Sequence, residues 1–123
     1  MSMMDDLDEI DIAGFVEDGE GGNKILTLEY PFSVTVKSGG QSVTEDVHHI
    51  EFRRPKGKDM DAIEQMSGNA MRGARGFVAG LIVKPEGINA SKLGDLDATD
   101  MMRAMKVCFD FFPKGRSGTT GTS

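Results

Sequence analysis

The sequence predicts a small α+β domain, with an N-terminal β-hairpin followed by three short helices. Two observations carry this expectation. Between Ile25 and Phe52 apolar residues recur at every second position, and from Met60 to Phe112 they recur at every third or fourth. The strands therefore precede the helices instead of alternating with them, which is the order of α+β chains.

The first strand is set by Phe32, Val34 and Val36 on one face and Ser33, Thr35 and Lys37 on the other. Ser38-Gly39-Gly40-Gln41 supplies a hairpin turn, because glycine tolerates the positive φ such turns require. The return strand runs from Val43 to Phe52 with Ile50 and Phe52 inward. Val47 is out of phase with them, so a bulge is expected near Asp46–His48. Pro31 has no N–H to give to a ladder and belongs at an edge or a strand break.

Pro55-Lys56-Gly57 then makes a turn, and Asp59 is expected to cap a first helix carrying Met60, Ile63 and Met66. A second helix starts near Asn69, with Met71, Ala74, Phe77, Val78, Leu81 and Ile82 as its apolar stripe. Gly73, Gly76 and Gly80 within it suggest the close approach of another backbone. Lys84-Pro85-Glu86-Gly87 ends it, and a loop carries Ile88 and Leu93. The third helix is capped by Asp97 or Thr99, with Asp100 in its first turn, where a carboxylate complements the helix dipole. Its broad apolar face comprises Met101, Met102, Met105, Cys108, Phe109 and Phe112, and Pro113 closes it.

Charge divides the chain into three parts. Eight acids precede Gly21 without a Lys or Arg among them; since the whole chain carries −6, the rest stands at +2. Residues 1–24 read as a flexible acidic tail, 25–113 as the folded domain and 114–123 as a flexible Gly/Ser/Thr tail. A near-neutral domain is not that of a polyanion binder. No apolar run approaches the roughly 20 residues of a membrane span. The first residues lack the features of a secretory signal, so a cytoplasmic location is expected.

Catalytic chemistry finds no support. His48 and His49 are strand neighbours that point to opposite faces and cannot share a metal. Cys108, the single cysteine, sits on an apolar helix face as a small core residue. Asp95, Asp97 and Asp100 lack the glycine and closing glutamate of a calcium loop. The glycines between Gly68 and Gly80 fit no phosphate-binding pattern. Neither an enzyme nor a cofactor or metal is expected. The basic run Arg53 to Lys58 is short and followed at once by Asp59, Asp61 and Glu64, which argues for a solvated turn over a nucleic-acid site.

Three stretches carry a family resemblance. Leu28-Glu29-Tyr30-Pro31-Phe32, then Ile50-Glu51-Phe52-Arg53-Arg54-Pro55-Lys56-Gly57-Lys58-Asp59-Met60, and later Leu96-Asp97-Ala98-Thr99-Asp100, together resemble the tail assembly chaperones of tailed bacteriophages. The shared patterns are a "P-I" strand, a second strand ending in "L-R-x-P-x-G-x-D-L", and an "L-x-x-x-D" approach to a last helix. Met60 stands where the family usually has leucine.

The resemblance implies a non-enzymatic protein that binds the tape measure protein, keeps it soluble and helps recruit tail-tube subunits. It implies a location in the cytoplasm of the infected bacterium and absence from the finished virion. Arg53, Arg54, Pro55, Gly57 and Asp59 are then expected to form a structural hinge. Met66, Met71, Met101, Met102, Met105, Phe109, Phe111 and Phe112 are the candidate partner contacts, since flexible methionines suit adaptable grooves. Phe109, Phe111 and Phe112 lie on successive faces of the last helix, so self-association is expected as well. Two alternatives stand beside this reading: a tube or connector subunit of the virion, and a small nucleic-acid-binding regulator using Arg53 to Lys58.

Overall fold

A computed structural model describes residues 9–61 and 70–112. Complete among these residues are four strands and three α-helices: β1 (Val16–Asp18), β2 (Lys24–Ser38), β3 (Gln41–Phe52), α1 (Ala70–Leu81), β4 (Ile82–Lys84), α2 (Ala90–Leu93) and α3 (Ala98–Phe109). The strands form one antiparallel meander in the order β1-β2-β3-β4. The mixed α+β class is as expected, but the hairpin is the centre of a wider sheet.

β2 and β3 form the long hairpin, joined through Gly39 and Gly40 with φ of 60° and 83°. Two successive positive φ values match the right-handed twist of the flanking strands. Leu26, Leu28, Phe32 and Val34 from β2 and Val47, Ile50 and Phe52 from β3 form the buried face. The other face is polar, with Ser33 bonded to Asp46 at 2.7 Å and Thr35 to Thr44 at 3.1 Å. Such alternation follows when helices cover only one side of an antiparallel sheet.

The expected irregularity is present, but the extra residues lie on the other strand. Thr27 faces His49 and Phe32 faces Val47, so Leu28 to Pro31 stand opposite His48 alone. This surplus of an odd number of residues reverses the inward phase of β3, while β2 keeps its own. Val47 is therefore buried despite being out of step with Ile50, and His48 and His49 are both exposed.

Ala74, Phe77, Val78 and Leu81 of α1, Leu93 of α2 and Met101, Ala104, Met105, Cys108 and Phe109 of α3 cover the apolar sheet face. Each fully buried side chain of the Leu or Phe class contributes about 1.5–3 kcal/mol relative to exposure. The stripe read to Ile82 as one helix stops at Leu81. Ile82 to Lys84 instead pair with β3, Phe52 facing Ile82 and Glu51 facing Lys84. No backbone crowds Gly76 or Gly80; a Cβ on Gly76 would meet nothing within 4 Å, and one on Gly80 would meet only Asp59 Oδ1 at 3.9 Å. The expected loop after Gly87 contains α2, which Asn89 caps by accepting from the Lys92 amide at 2.9 Å. The Lys92 ammonium donates to the carbonyls of Thr35 and Gly87, tying this short helix to β2. The first expected helix begins at Met60 and Asp61; its remainder, like residues 1–8 and 113–123, lies outside the described residues.

The acidic N-terminal segment departs most from expectation. From Glu9 onward it is part of the domain. Val16–Asp18 pair with Lys24–Leu26, and the Thr27 amide donates to the Phe15 carbonyl at 2.7 Å. Ile10, Ile12, Phe15 and Val16 pack against the core. The reason lies in α3, which is buried at Lys106 and Val107 as well as along its Met101–Met105–Cys108 stripe. A helix covered on more than one side needs a second layer. The segment supplies it, with Phe15 lying 3.9 Å beneath the Arg103 guanidinium. Average composition hides this, because the acids point outward between inward apolar residues.

Phe15→Ala should accordingly lower stability by about 1–3 kcal/mol in urea unfolding, less than a fully buried Phe→Ala because the ring is half-buried. An unchanged midpoint would return this segment to the status of a tail.

Candidate functional site

The R-x-P-x-G-x-D stretch folds into an ion-paired clamp. Its backbone leaves β3 at Arg53, whose amide donates to the Leu81 carbonyl at the end of α1. The Arg53 guanidinium then makes a bidentate pair with Asp59, Nη1 to Oδ2 at 2.9 Å and Nη2 to Oδ1 at 3.1 Å. Its remaining reach goes to the carbonyls of Arg54 and Gly80, at 3.0 and 2.9 Å. Only a planar fork serves four acceptors in this way. Asp59 also accepts from the Lys56 amide at 2.6 Å, closing a 3-10 turn over Gly57–Asp59. It thus reaches back to the turn before it, while the helix it was expected to cap lies, beyond Asp61, outside the described residues. Gly57 has neither a left-handed φ nor a neighbour that a Cβ would touch. Pro55 is half-buried, whereas Arg54 is exposed, its guanidinium 5.8 Å from the centre of the Phe111 ring. The stretch joins β3 to α1 through Arg53.

A second carboxylate anchors the middle of β2, at its bulge. Asp100, in the first turn of α3, is fully buried. Its Oδ1 accepts from the Glu29 amide at 2.9 Å and its Oδ2 from the Tyr30 amide at 2.8 Å. These amides lie in the β2 stretch that outgrows β3, beside Pro31. Arg103 completes the set, bonding Glu29 at 2.8 Å and Asp100 at 3.3 Å while covering Phe15. The "P-I" strand and the "L-x-x-x-D" pattern are therefore the two halves of one contact. Sequence reasoning assigned Asp100 to the helix dipole and missed its reach; Arg103 at i+3 and a proline in a strand were the available signals. Asp97 is the cap, accepting from the Thr99 amide at 2.8 Å.

The candidate partner contacts separate by burial. Met101, Met105 and Phe109, expected at a partner surface, are interior residues because their face of α3 is the one turned to the sheet and α1. Met102 is half-buried. Phe111 and Phe112 lie beyond the end of α3 and are half-buried, and Phe112 stacks on Phe77 with ring centres 6.0 Å apart. The aromatic surplus read as an interface between copies is thus largely absorbed within one chain. Met66 lies outside the described residues, and of Met71 only the backbone is described. Met60, Tyr30 and Val43 are the large apolar residues most exposed among those described.

What remains open beside Phe111 is a groove of about 290 Å³, lined by Ile12, Val16, Lys24, Val107, Asp110 and Phe111. The N-terminal segment forms one wall and the end of α3 the other. Lys24 pairs with Asp18, and Lys106 with Asp110 at 3.2 Å. Five of these six lining residues went unnoticed as a site, because a wall formed by a supposed tail has no local signal.

Burial pushes the Cys108 thiol well above its ordinary pKa, the opposite of an activated nucleophile. No group of three or more His, Cys, Asp or Glu able to hold a metal occurs among the described residues. Among them, too, no helix is long and apolar enough to cross a membrane.

Two outcomes test the anchors. Asp100→Ala leaves the Glu29 and Tyr30 amides without their acceptor and Arg103 with Glu29 alone, and should cost about 3–5 kcal/mol in chemical denaturation; a loss below 1 kcal/mol would remove Asp100 from its structural role. The Arg53 hydrogen bond holds the Asp59 carboxyl below the usual carboxylate range. Its stabilisation is therefore complete above the unfolded-state value of about 3.9 and is lost as pH falls through the lower folded value. Unfolding midpoints measured from pH 6 down to pH 3 should fall more steeply in the wild type than in Asp59→Asn. Parallel curves would show the clamp to be neutral.

No curated protein and no solved structure shows significant similarity to this chain. A family model does match, over residues 26–113, and its description is "Phage tail assembly chaperone proteins, E, or 41 or 14". The match begins at Leu26 on β2, runs through the Arg53–Asp59 clamp and Asp100, and ends after the Phe111–Phe112 pair. The chain belongs to the phage tail assembly chaperone family.

Proposed function

We propose that this protein serves tail assembly by binding the tape measure protein, keeping it soluble and helping to recruit tail-tube subunits around it. The family match over 26–113 carries this reading. The action is binding without chemistry, as the family is one of chaperones and not of enzymes. A long helical client exposes repeated apolar stripes that would otherwise aggregate. Shallow, partly exposed apolar surface, such as the half-buried Phe111 and Met102, can shield such stripes without locking them in one register. The proposed setting is the cytoplasm of the infected bacterium, with the protein left out of the mature virion.

Co-expression provides the test. The tape measure protein encoded by the same phage should move from the insoluble to the soluble fraction when this chain is present, and the two should co-purify. Mass spectrometry of purified particles should find the tape measure protein without this chain. A client that stays insoluble would contradict the proposal, and stoichiometric presence in particles would favour a structural tail component.

A further inference from the structure

β3 is paired along one side only. β4 meets it at Glu51 and Phe52, and no other described strand lies along its outer edge. The turn determines which backbone groups that edge presents. Across a two-residue hairpin the flanking residues, here Ser38 and Gln41, exchange both hydrogen bonds, and every second pair beyond them does the same. Val36 with Val43, Val34 with Glu45 and Phe32 with Val47 are thereby the bonded pairs. Ser42, Thr44 and Asp46 fall between them and aim their N–H and C=O groups away from β2. The corresponding edge of β2 is occupied, since the Lys92 ammonium donates to the outward Thr35 carbonyl. On β3, Gln41 to Asp46 are all exposed, and no bond from another described residue reaches the three outward-aimed backbones.

A repeated tripeptide indicates the occupant. Ser33-Val34-Thr35 and Ser42-Val43-Thr44 are identical in sequence. The first lies antiparallel to Thr44-Glu45-Asp46, with Ser33 opposite Asp46, Val34 opposite Glu45 and Thr35 opposite Thr44. Ser33 bonds Asp46 at 2.7 Å and Thr35 bonds Thr44 at 3.1 Å. The second tripeptide stands on the open edge. We infer that a second copy of this chain pairs with β3 there, antiparallel, about a twofold axis at Thr44. Thr44 then faces its own counterpart, Ser42 faces the partner's Asp46, and Val43 faces the partner's Glu45. The cross-strand pairs made by Ser33-Val34-Thr35 all recur, on both sides of the axis as an isologous contact requires. The outward-aimed residues meet one another, so each such pair can exchange both backbone bonds. Other registers lack this match. An axis at Glu45 or Asp46 sets like carboxylates face to face. An axis at Val43 puts Asp46 opposite Gly40, whose φ of 83° is not that of a strand. The charge of −6 on each copy opposes association, so the pairing strengthens with salt. This inference goes beyond the chaperone proposal and requires no client.

Sedimentation velocity of the full chain across the micromolar range should show a monomer–dimer equilibrium that shifts towards dimer as salt rises. Val43→Asp places a carboxylate opposite Glu45 on both sides of the axis and should weaken the dimer about tenfold. Adding Glu45→Lys turns both contacts into ion pairs and should restore dimerisation to the wild-type level or above. Cysteine linking reads the register directly. Cys108, the single cysteine, is buried, so Thr44→Cys supplies the accessible thiol. Its Cα lies about 5.5 Å from its counterpart, and mild oxidation should yield a linked dimer. Ser42→Cys is about 14 Å from its own counterpart and should stay unlinked. Both are exposed positions, and they carry the test if Val43→Asp unfolds. A strictly monomeric wild type would overturn the inference. So would Ser42→Cys linking as readily as Thr44→Cys, or a folded double variant that fails to recover. A dimer that Phe111→Ser dissociates and Val43→Asp leaves intact would also do so, by moving the contact to the end of α3. None of these outcomes bears on whether the chain solubilises the tape measure protein, which co-expression tests separately.

Discussion

The fold depends on a single carboxylate that does the work of a missing strand. β2 has four residues where β3 has one, and within that excess the amides of Glu29 and Tyr30 have no ladder partner. Pro31, next in line, offers no N–H at all. An amide covered without an acceptor costs about 1–3 kcal/mol, and these two, partly shielded, take theirs from outside the sheet. Asp100 provides both acceptor atoms from another element, 70 and 71 residues away in sequence. The charge itself is balanced by Arg103, which in turn holds Glu29 and covers Phe15. One network thereby fixes the bulge, the start of α3 and the N-terminal segment against one another.

The Arg53–Asp59 clamp performs the equivalent task at the end of β3. It stops β3, turns the chain and binds the carbonyl end of α1 through Gly80. The motif residues most suggestive of a binding site are thus consumed by architecture. Of the basic side chains in this run, Arg53 is paired with Asp59 and Arg54 lies against the Phe111 ring. The groove at the end of α3 is where apolar side chains from two distant parts of the chain meet water.

The sequence made the inner layer legible and the outer layer opaque. Period-two alternation located β2 and β3, and the Gly39-Gly40 turn fixed their register from local chemistry alone. The Asp97 cap and the Ala74–Phe77–Val78–Leu81 stripe were equally local. β1 and β4 were not, because each is three residues long and exists only through pairing with a neighbour. Ile82 continued a helical stripe on paper, yet becomes a strand residue because Phe52 stands opposite. Methionine content pointed to a partner surface, but Met101 and Met105 fill space that a core with no tryptophan leaves for flexible side chains. Residue type indicated adaptability; only the fold decided which side of the helix was wet.

Hydrogen exchange, measured residue by residue on the chain alone and with the proposed client, the tape measure protein, tests the whole account at once. In the free chain the Glu29 and Tyr30 amides should exchange as slowly as those of the paired β2 core, since the buried carboxylate holds them. On client binding, new protection should appear around Met102 and Phe111, the surface proposed to shield it. Loop-like exchange at Glu29 and Tyr30 would contradict the anchor, and client-induced protection confined to other regions would contradict the proposed client surface.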